Sequence, residues 1–128
     1  MERTIVSLIN NDVDVDAILN KRFFPVRIPQ SNKTFPAATF RRMGTSPTDS
    51  KDGASSLDTH KLMIDLWGNS YSELKDLAKK IRAAIDRKSV SLFGIDVDSI
   101  IFVNDKDGFS DNTDLNHLMQ EYKIREKL

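Results

Sequence analysis

The sequence contains no cysteine. This absence excludes disulfide bonds, zinc sites built from thiolates and catalysis by a cysteine nucleophile, because each of these needs a thiol. It is compatible with a reducing compartment. A chain of this size can instead be held together by one modest hydrophobic core.

Long apolar runs and net charge are missing as well. No stretch approaches the roughly 20 apolar residues that a membrane-spanning helix requires, and the start, Met1 to Ile5, does not resemble a secretory signal peptide. Lys plus Arg and Asp plus Glu each number 19, so the formal net charge is zero. A neutral chain has no general attraction to nucleic acid or to acidic membranes. We therefore expect no membrane partner and no specific nucleic-acid binding.

The composition that remains is that of an ordinary folded domain. The 128 residues are 39% hydrophobic and 30% charged, which is typical of a globular protein rather than a disordered one. We expect a single domain over residues 1–128. Within it, the polar stretch at about 46–58 (SPTDSKDGASSLD) predicts an exposed hairpin loop.

The strongest strand signal is at 60–67 (HKLMIDLW). Strand side chains alternate between the two faces, so one face carries Leu62, Ile64 and Leu66 and the other carries Met63, Asp65 and Trp67. Both faces therefore hold bulky apolar groups. A sheet covered on one side only would not need Met63 and Trp67 opposite its core, which indicates a second buried surface.

The strongest helix signal is at 71–87. Ser70 and Glu73 form a capping box, in which each side chain can satisfy a free backbone donor, and an apolar stripe follows at helical spacing. The remaining pattern predicts short helices and further strands, at 2–10 and 13–20 for the helices and at 23–28, 36–45, 90–103 and 117–126 for the strands, with a loop at 104–114. The predicted fold class is α+β: one antiparallel sheet with one long helix packed across it and short N-terminal helices.

Enzymatic alternatives have weak support. The sequence has no phosphate-binding glycine loop, no nucleophile elbow and no metal-ligating histidine pair. Asp65, in the middle of a strand, is a candidate for a metal-dependent enzyme or nuclease, and its alternative is a carboxylate paired at an interface. The carboxylate-rich stretches 12–16 and 105–114 lack the ligand spacing of a calcium loop. A helix face with Lys75, Lys79 and Arg82 could contact DNA, but acidic neighbours favour a solvated surface.

Most of the chain resembles a known family, and the matching motifs are concentrated in residues 35–86. It is similar to the small tail-completion proteins of long-tailed phages and prophages, also called tail-terminator or head–tail joining proteins. The matching positions are Pro36, Phe40, Arg42, Asp52, Gly53, Ser56, Leu57, Asp58, Ile64, Asp65, Trp67, Tyr71, Glu73, Leu77, Ala78, Ile81 and Ala84. The sequence departs from the family pattern at Gly68 and in the acidic 104–114 segment.

The resemblance implies a structural role in virion assembly. Such proteins form rings, commonly hexamers, that cap the tail tube and join it to the head connector in the host cytoplasm; a related alternative is a head-completion adaptor. It implies no catalysis and no cofactor, and as partners further copies of the chain, the major tail tube protein and the head connector or head-completion protein. The interface residues that we predict are Arg42, Asp52, Gly53, Leu57, Asp58, Met63, Asp65 and Trp67.

Overall fold

The computed structural model describes residues 1–50, 53–110 and 114–127. Over these ranges the elements are α1 (Glu2–Asn10), α2 (Val13–Leu19), β1 (Phe23–Pro25), β2 (Ala37–Ser50), β3 (Gly53–Gly68), α3 (Tyr71–Ile85), β4 (Val90–Leu92), β5 (Ile95–Ser110) and β6 (Leu115–Lys127). The six strands of the described ranges form one sheet in the order β1-β2-β3-β6-β5-β4.

The sheet is mixed and is curled into a half-barrel. β1 runs parallel to β2, whereas the other neighbouring strands are antiparallel. The predicted fold class, an α+β antiparallel sheet with one long helix across it, is therefore wrong. The described part of the chain is mostly β, with three short helices.

The strands are longer than the apolar runs that predicted them, and this is the physical reason for the error. The segment predicted as a loop at about 46–58 continues β2 and β3 as a hairpin arm, in which Thr48 lies opposite Leu57 and Ser50 opposite Gly53. Residues 51 and 52 of that segment lie outside the described ranges.

The loop predicted at 104–114 is likewise strand for most of its length. β5 continues to Ser110, and Asp107 lies opposite Leu118 of β6. Residues 111–113 are outside the described ranges. Polar residues remain extended in both places because the neighbouring strand satisfies their backbone hydrogen bonds.

The helices α2 and α3 begin at side-chain caps. The Ser70 hydroxyl accepts a hydrogen bond from the Glu73 backbone amide at 3.2 Å, which confirms the predicted start of α3. The Asp12 carboxylate accepts one from the Val15 amide at 3.0 Å at the start of α2. No helix within the described ranges is both long and apolar enough to cross a bilayer.

The core lies between the helices and one face of the sheet. Leu62, Ile64 and Leu66 of β3 are fully buried there. The helical residues in the same cluster include Ile5, Ile9, Val15, Leu19, Leu74, Leu77, Ile81 and Ile85. Burying a side chain of this size stabilises the fold by about 1.5–3 kcal/mol.

Gly68 marks the point where the end of β3 passes close to α3. A Cβ atom at this position would lie 3.1 Å from Cδ2 of Leu74 and 3.5 Å from Cβ of Pro36. The departure from the family pattern at this position therefore has a local packing reason, since glycine lets the strand end approach the helix.

Candidate functional site

The helices cover one face of the sheet, and its opposite face carries the residues predicted to form an interface. Because Leu62, Ile64 and Leu66 point into the core, the alternating residues Met63 and Trp67 point away from it. Residues directly opposite on neighbouring strands share a face. We call this surface the bare face, and on β2, β3 and β6 it includes Ala37, Thr39, Arg41, Lys61, Met63, Asp65, Trp67, His117, Met119, Glu121 and Lys123. Ala37 and Thr39 at its β2 side are fully buried.

An ion-paired carboxylate lies at the centre of the bare face. Asp65 is only 5% exposed. Its Oδ1 lies 3.0 Å from Nε2 of His117 on β6, and its Oδ2 lies 3.9 Å from Nε of Arg41 on β2. The carboxylate therefore joins three adjacent strands, and both of its oxygens have a partner.

Aromatic stacking fixes the orientation of the same histidine. The rings of Trp67 and His117 stack with their centroids 4.7 Å apart and their planes 4° from parallel. His117 is thus held on one side by the Asp65 carboxylate and on its face by the indole. A side chain held in this way loses little further freedom when a partner binds, which favours a contact surface.

Apolar side chains flank this polar centre. Met63, Trp67 and Met119 are each half-buried. Half-exposed Trp and Met side chains around an ordered ion pair are typical of a surface that docks another polypeptide.

The other predicted interface residues do not join this cluster. Arg42 lies opposite Leu62, on the helix side of the sheet, and its Nη1 donates to Oγ1 of Thr45 at 2.7 Å. Gly53, Leu57 and Asp58 lie along the hairpin arm, where Leu57 and Asp58 are half-buried. Asp52 lies outside the described residues.

Sequence reasoning missed Arg41, His117 and Met119. Each is brought to the bare face by strand pairing: Met63 lies opposite Arg41, Trp67 opposite His117, and Asp65 opposite Met119. A strand at 117–126 was predicted, but the register between strands far apart in sequence was not.

Several carboxylates of the other candidate stretches have structural partners. Asp12 caps α2, and Asp16 pairs with Lys21 at 3.2 Å. No group of three or more potential metal-ligating side chains occurs among the described residues. Asp65 has the surroundings of a structural ion pair, with His117 and Arg41 beside its two oxygens.

The candidate DNA-contacting face of α3 is partly neutralised. Nζ of Lys75 lies 3.2 Å from Oδ1 of Asp107, whose Oδ2 also accepts a hydrogen bond from the Tyr71 hydroxyl at 2.6 Å. The bond from Tyr71 is the main reason that the pKa of Asp107 is lowered, and Tyr71 and Asp107 together raise the pKa of Lys75. Arg82 pairs with Asp86 at 3.5 Å and lies over the Phe102 ring. Two of the three basic residues thus already have acidic partners.

The fold matches that of a chain in a solved virion structure. A chain of the solved structure titled "Virion of native gene transfer agent (GTA) particle" matches with a TM-score of 0.82 over 97% of this chain and 92% of that chain. The two sequences are 13% identical, so this likeness concerns the fold.

The family follows from the sequence itself. The model of the family described as tail completion protein gp17 matches residues 3–127. The chain belongs to this family, and it is a structural protein of phage tail assembly. No curated protein matches it by sequence.

Proposed function

We propose that copies of this chain form a ring that caps the phage tail tube and joins it to the head connector. The family match over residues 3–127 is the observation that carries the proposal. The residues 1–128 act as one domain in this role, which begins in the host cytoplasm and continues in the virion at the head–tail junction. Tail and head proteins of the same particle are the partners.

The bare face supplies a contact surface to the partner proteins. Met63 and Trp67 provide apolar area, as buried aromatic side chains do at interface hot spots. The Asp65 carboxylate already has His117 and Arg41 as partners, so a partner can cover it without leaving a buried charge unpaired. Desolvation of the site therefore costs less than it would for an isolated carboxylate.

The hairpin arm supplies a second contact in this proposal. It carries Gly53, Leu57 and Asp58, and the sequence between its strands includes Asp52. Within the described ranges β6 pairs with β3 only as far as Leu57, so the arm beyond this residue is two-stranded, and docking on the tube protein or a neighbouring copy would stabilise it. The neutral formal charge of the chain favours such specific docking over non-specific association.

Disruption of the gene in the phage or prophage that encodes the chain tests the role directly. We expect electron micrographs of the lysate to contain heads and tails that are not joined, and we expect the native gene in trans to restore joined particles. Joined, infectious particles made without the chain would contradict the proposal.

A variant of the bare face tests the contact surface. We expect Met63→Lys to lower the yield of joined particles by roughly tenfold, because a new charge enters a contact that must be desolvated. Val13→Lys is the matched control, since Val13 is 82% exposed on α2, and it should leave the yield unchanged. Equal yields from two variants that fold equally well by circular dichroism would remove the bare face from the proposal.

A further inference from the structure

The sheet has two long strand edges without a partner among the described residues. On β2, the short strand β1 pairs with Ala38 to Phe40 only, so the outer edge is open from Arg41 to Ser50. The two open edges lie near opposite ends of the strand order, on β2 and on β5.

The edge of β5 is covered at its start and open afterwards. β4 pairs with residues 95–97, and the segment after α3 satisfies the next positions. Backbone bonds join Ile100 to Arg87 and Lys88, and the Phe102 amide donates to Oδ1 of Asp86 at 2.9 Å. From 103 to 110 the described part of the chain offers this edge no further strand. A row of open backbone donors and acceptors is a template for pairing with another strand.

We propose that the open edge of β2 in one copy pairs with the open edge of β5 in the next copy, and that this pairing is the joint of the ring. The inference rests on the proposed ring function and specifies how neighbouring copies meet. Pro47 lacks an amide donor, so we place the β2 side of the pairing at Arg41–Ser46. The partner edge is residues 103–110 of the adjacent copy.

Strand directions make this joint consistent around a ring. The strands β2, β3, β6 and β5 are consecutive and antiparallel, so β2 and β5 of one copy run in opposite directions. Rotating copies about an axis tilted from the strands, as strands are tilted in a closed barrel, brings β5 of one copy antiparallel to β2 of the next. The tilt must also shift the register along the strands, because Arg42 lies level with Phe102 across the sheet, whereas the open part of β5 begins at 103. The contact uses two different edges, which is the heterologous kind that closes rings. The sheet is already curled, and continued curling leads to a barrel in which these edges are all paired.

The side chains at the two edges are complementary. Arg42 is exposed on the helix side of the sheet and Asp105 is exposed on the same side at the other edge, opposite Gln120. Neither forms an ion pair with another described residue. Apolar side chains are also exposed beside each edge, with Met43 50% and Val103 38% exposed. Opposed charges and apolar pairs are the interactions that stabilise adjacent strands.

Charge exchange across the joint is the first test. We expect Arg42→Asp and Asp105→Arg each to weaken self-association about tenfold per contact, because like charges then face each other. The double variant, which restores an opposite pair, should recover assembly, measured by light scattering of the free chain and by tail capping in complementation. If the single variants failed only because they did not fold, combining them would not restore assembly.

Cross-linking is the second test. Because the native sequence contains no cysteine, a thiol reagent reacts only with the cysteines that are introduced. A variant with Arg42→Cys and Asp105→Cys, treated with a short bifunctional thiol reagent, should give a ladder of covalent oligomers ending at one closed ring on a denaturing gel. The control with Val13→Cys and Asp105→Cys should give none. Both should be measured on the free chain and on purified tails.

The outcomes distinguish a failure of the strand-pairing proposal from a failure of the proposed ring function. Rings that form without the ladder, and are insensitive to all charge variants, would overturn the strand-pairing joint and leave the proposed function standing. No ring in solution or on tails, with heads and tails still joined when the gene is disrupted, would overturn the proposed function and the joint with it.

Discussion

At the scale of single residues, Asp65 is what organises the bare face. It is almost fully buried on the side of the sheet opposite the helices, and its two oxygens lie against side chains of the two neighbouring strands. A carboxylate at such a depth is stable only when it is paired and hydrogen-bonded. Its pairing with Arg41 and His117 thus fixes the positions of the three strands and the orientation of the stacked Trp67 ring.

Removing that carboxylate should destabilise the fold. We expect Asp65→Ala to lower the free energy of unfolding by about 1–2 kcal/mol, since hydrogen bonds to charged groups are lost and Arg41 is half-exposed to water. The measurement is urea denaturation. Asp76→Ala is the control, because Asp76 forms an exposed pair with Lys80 on α3, and it should change stability by less than about 0.5 kcal/mol. Equal effects of the two variants would contradict the role given to Asp65.

Tyr122 should make stability sensitive to alkaline pH. Burial raises the pKa of its phenol well above the ordinary value, and its hydroxyl donates to Oε1 of Gln120 at 3.2 Å. The unfolded chain releases this proton first as pH rises, so the stabilising contribution is complete below about pH 10 and is lost as pH rises through the folded-state pKa. We expect stability between pH 9 and 11 to fall less in Tyr122→Phe than in the native chain. Parallel stability curves for the two chains would show that Tyr122 has no such effect.

Only the part of the site that lies on one strand could be predicted from the sequence. Alternation along 60–67 places Met63, Asp65 and Trp67 on one side, and this follows from strand geometry alone. The partners of Asp65 come from β2 and from β6, which lies 52 residues further along the chain. Their register is set by pairing across the whole sheet, and no local pattern around Asp65 reports it.

At the scale of elements, α3 depends on the cap that joins it to β3. Ser70 supplies the only side-chain cap bond given to α3 within the described residues. Lys75 and Tyr71 then tie the first turns of the helix to Asp107 on β5. The position of α3 on the sheet is therefore fixed both by these bonds at its start and by the packing of its buried apolar residues.

Loss of the cap should have a measurable cost. We expect Ser70→Ala to reduce the free energy of unfolding by about 1 kcal/mol, because a backbone donor at the helix start loses its acceptor. Ser72→Ala, an exposed position inside the first turn, is the matched control and should be neutral within about 0.5 kcal/mol. Chemical denaturation of both variants gives the comparison, and a neutral Ser70→Ala would show that the cap bond contributes nothing.

The elements that were misjudged share one physical cause. The segments 46–58 and 104–110 are rich in Asp, Asn, Ser and Gly, which locally favour turns. In the fold 46–50 pairs with β3, 53–58 pairs with β2 and 104–110 pairs with β6, and these neighbouring strands complete their backbone hydrogen bonds. Propensity is a weak prior where a neighbouring strand is available, so the mostly β character of the chain could not be read from these segments.

At the scale of the whole molecule, three features fit a role in assembly. The helices and core occupy one face of the sheet, the opposite face presents half-exposed Met63 and Trp67, and the long edges of β2 and β5 are open within the described ranges. A chain that acted alone would gain nothing from such surfaces and would risk aggregation. Membership in the tail completion family gives these surfaces a context in the virion.

The most direct test is a cryo-electron microscopy reconstruction of the head–tail junction of the particle that contains this chain. The account predicts a closed ring of copies at the end of the tail tube, with Met63 and Trp67 of each copy covered by another polypeptide. A junction that lacks the chain, or a ring in which these two side chains face solvent in every copy, would contradict it.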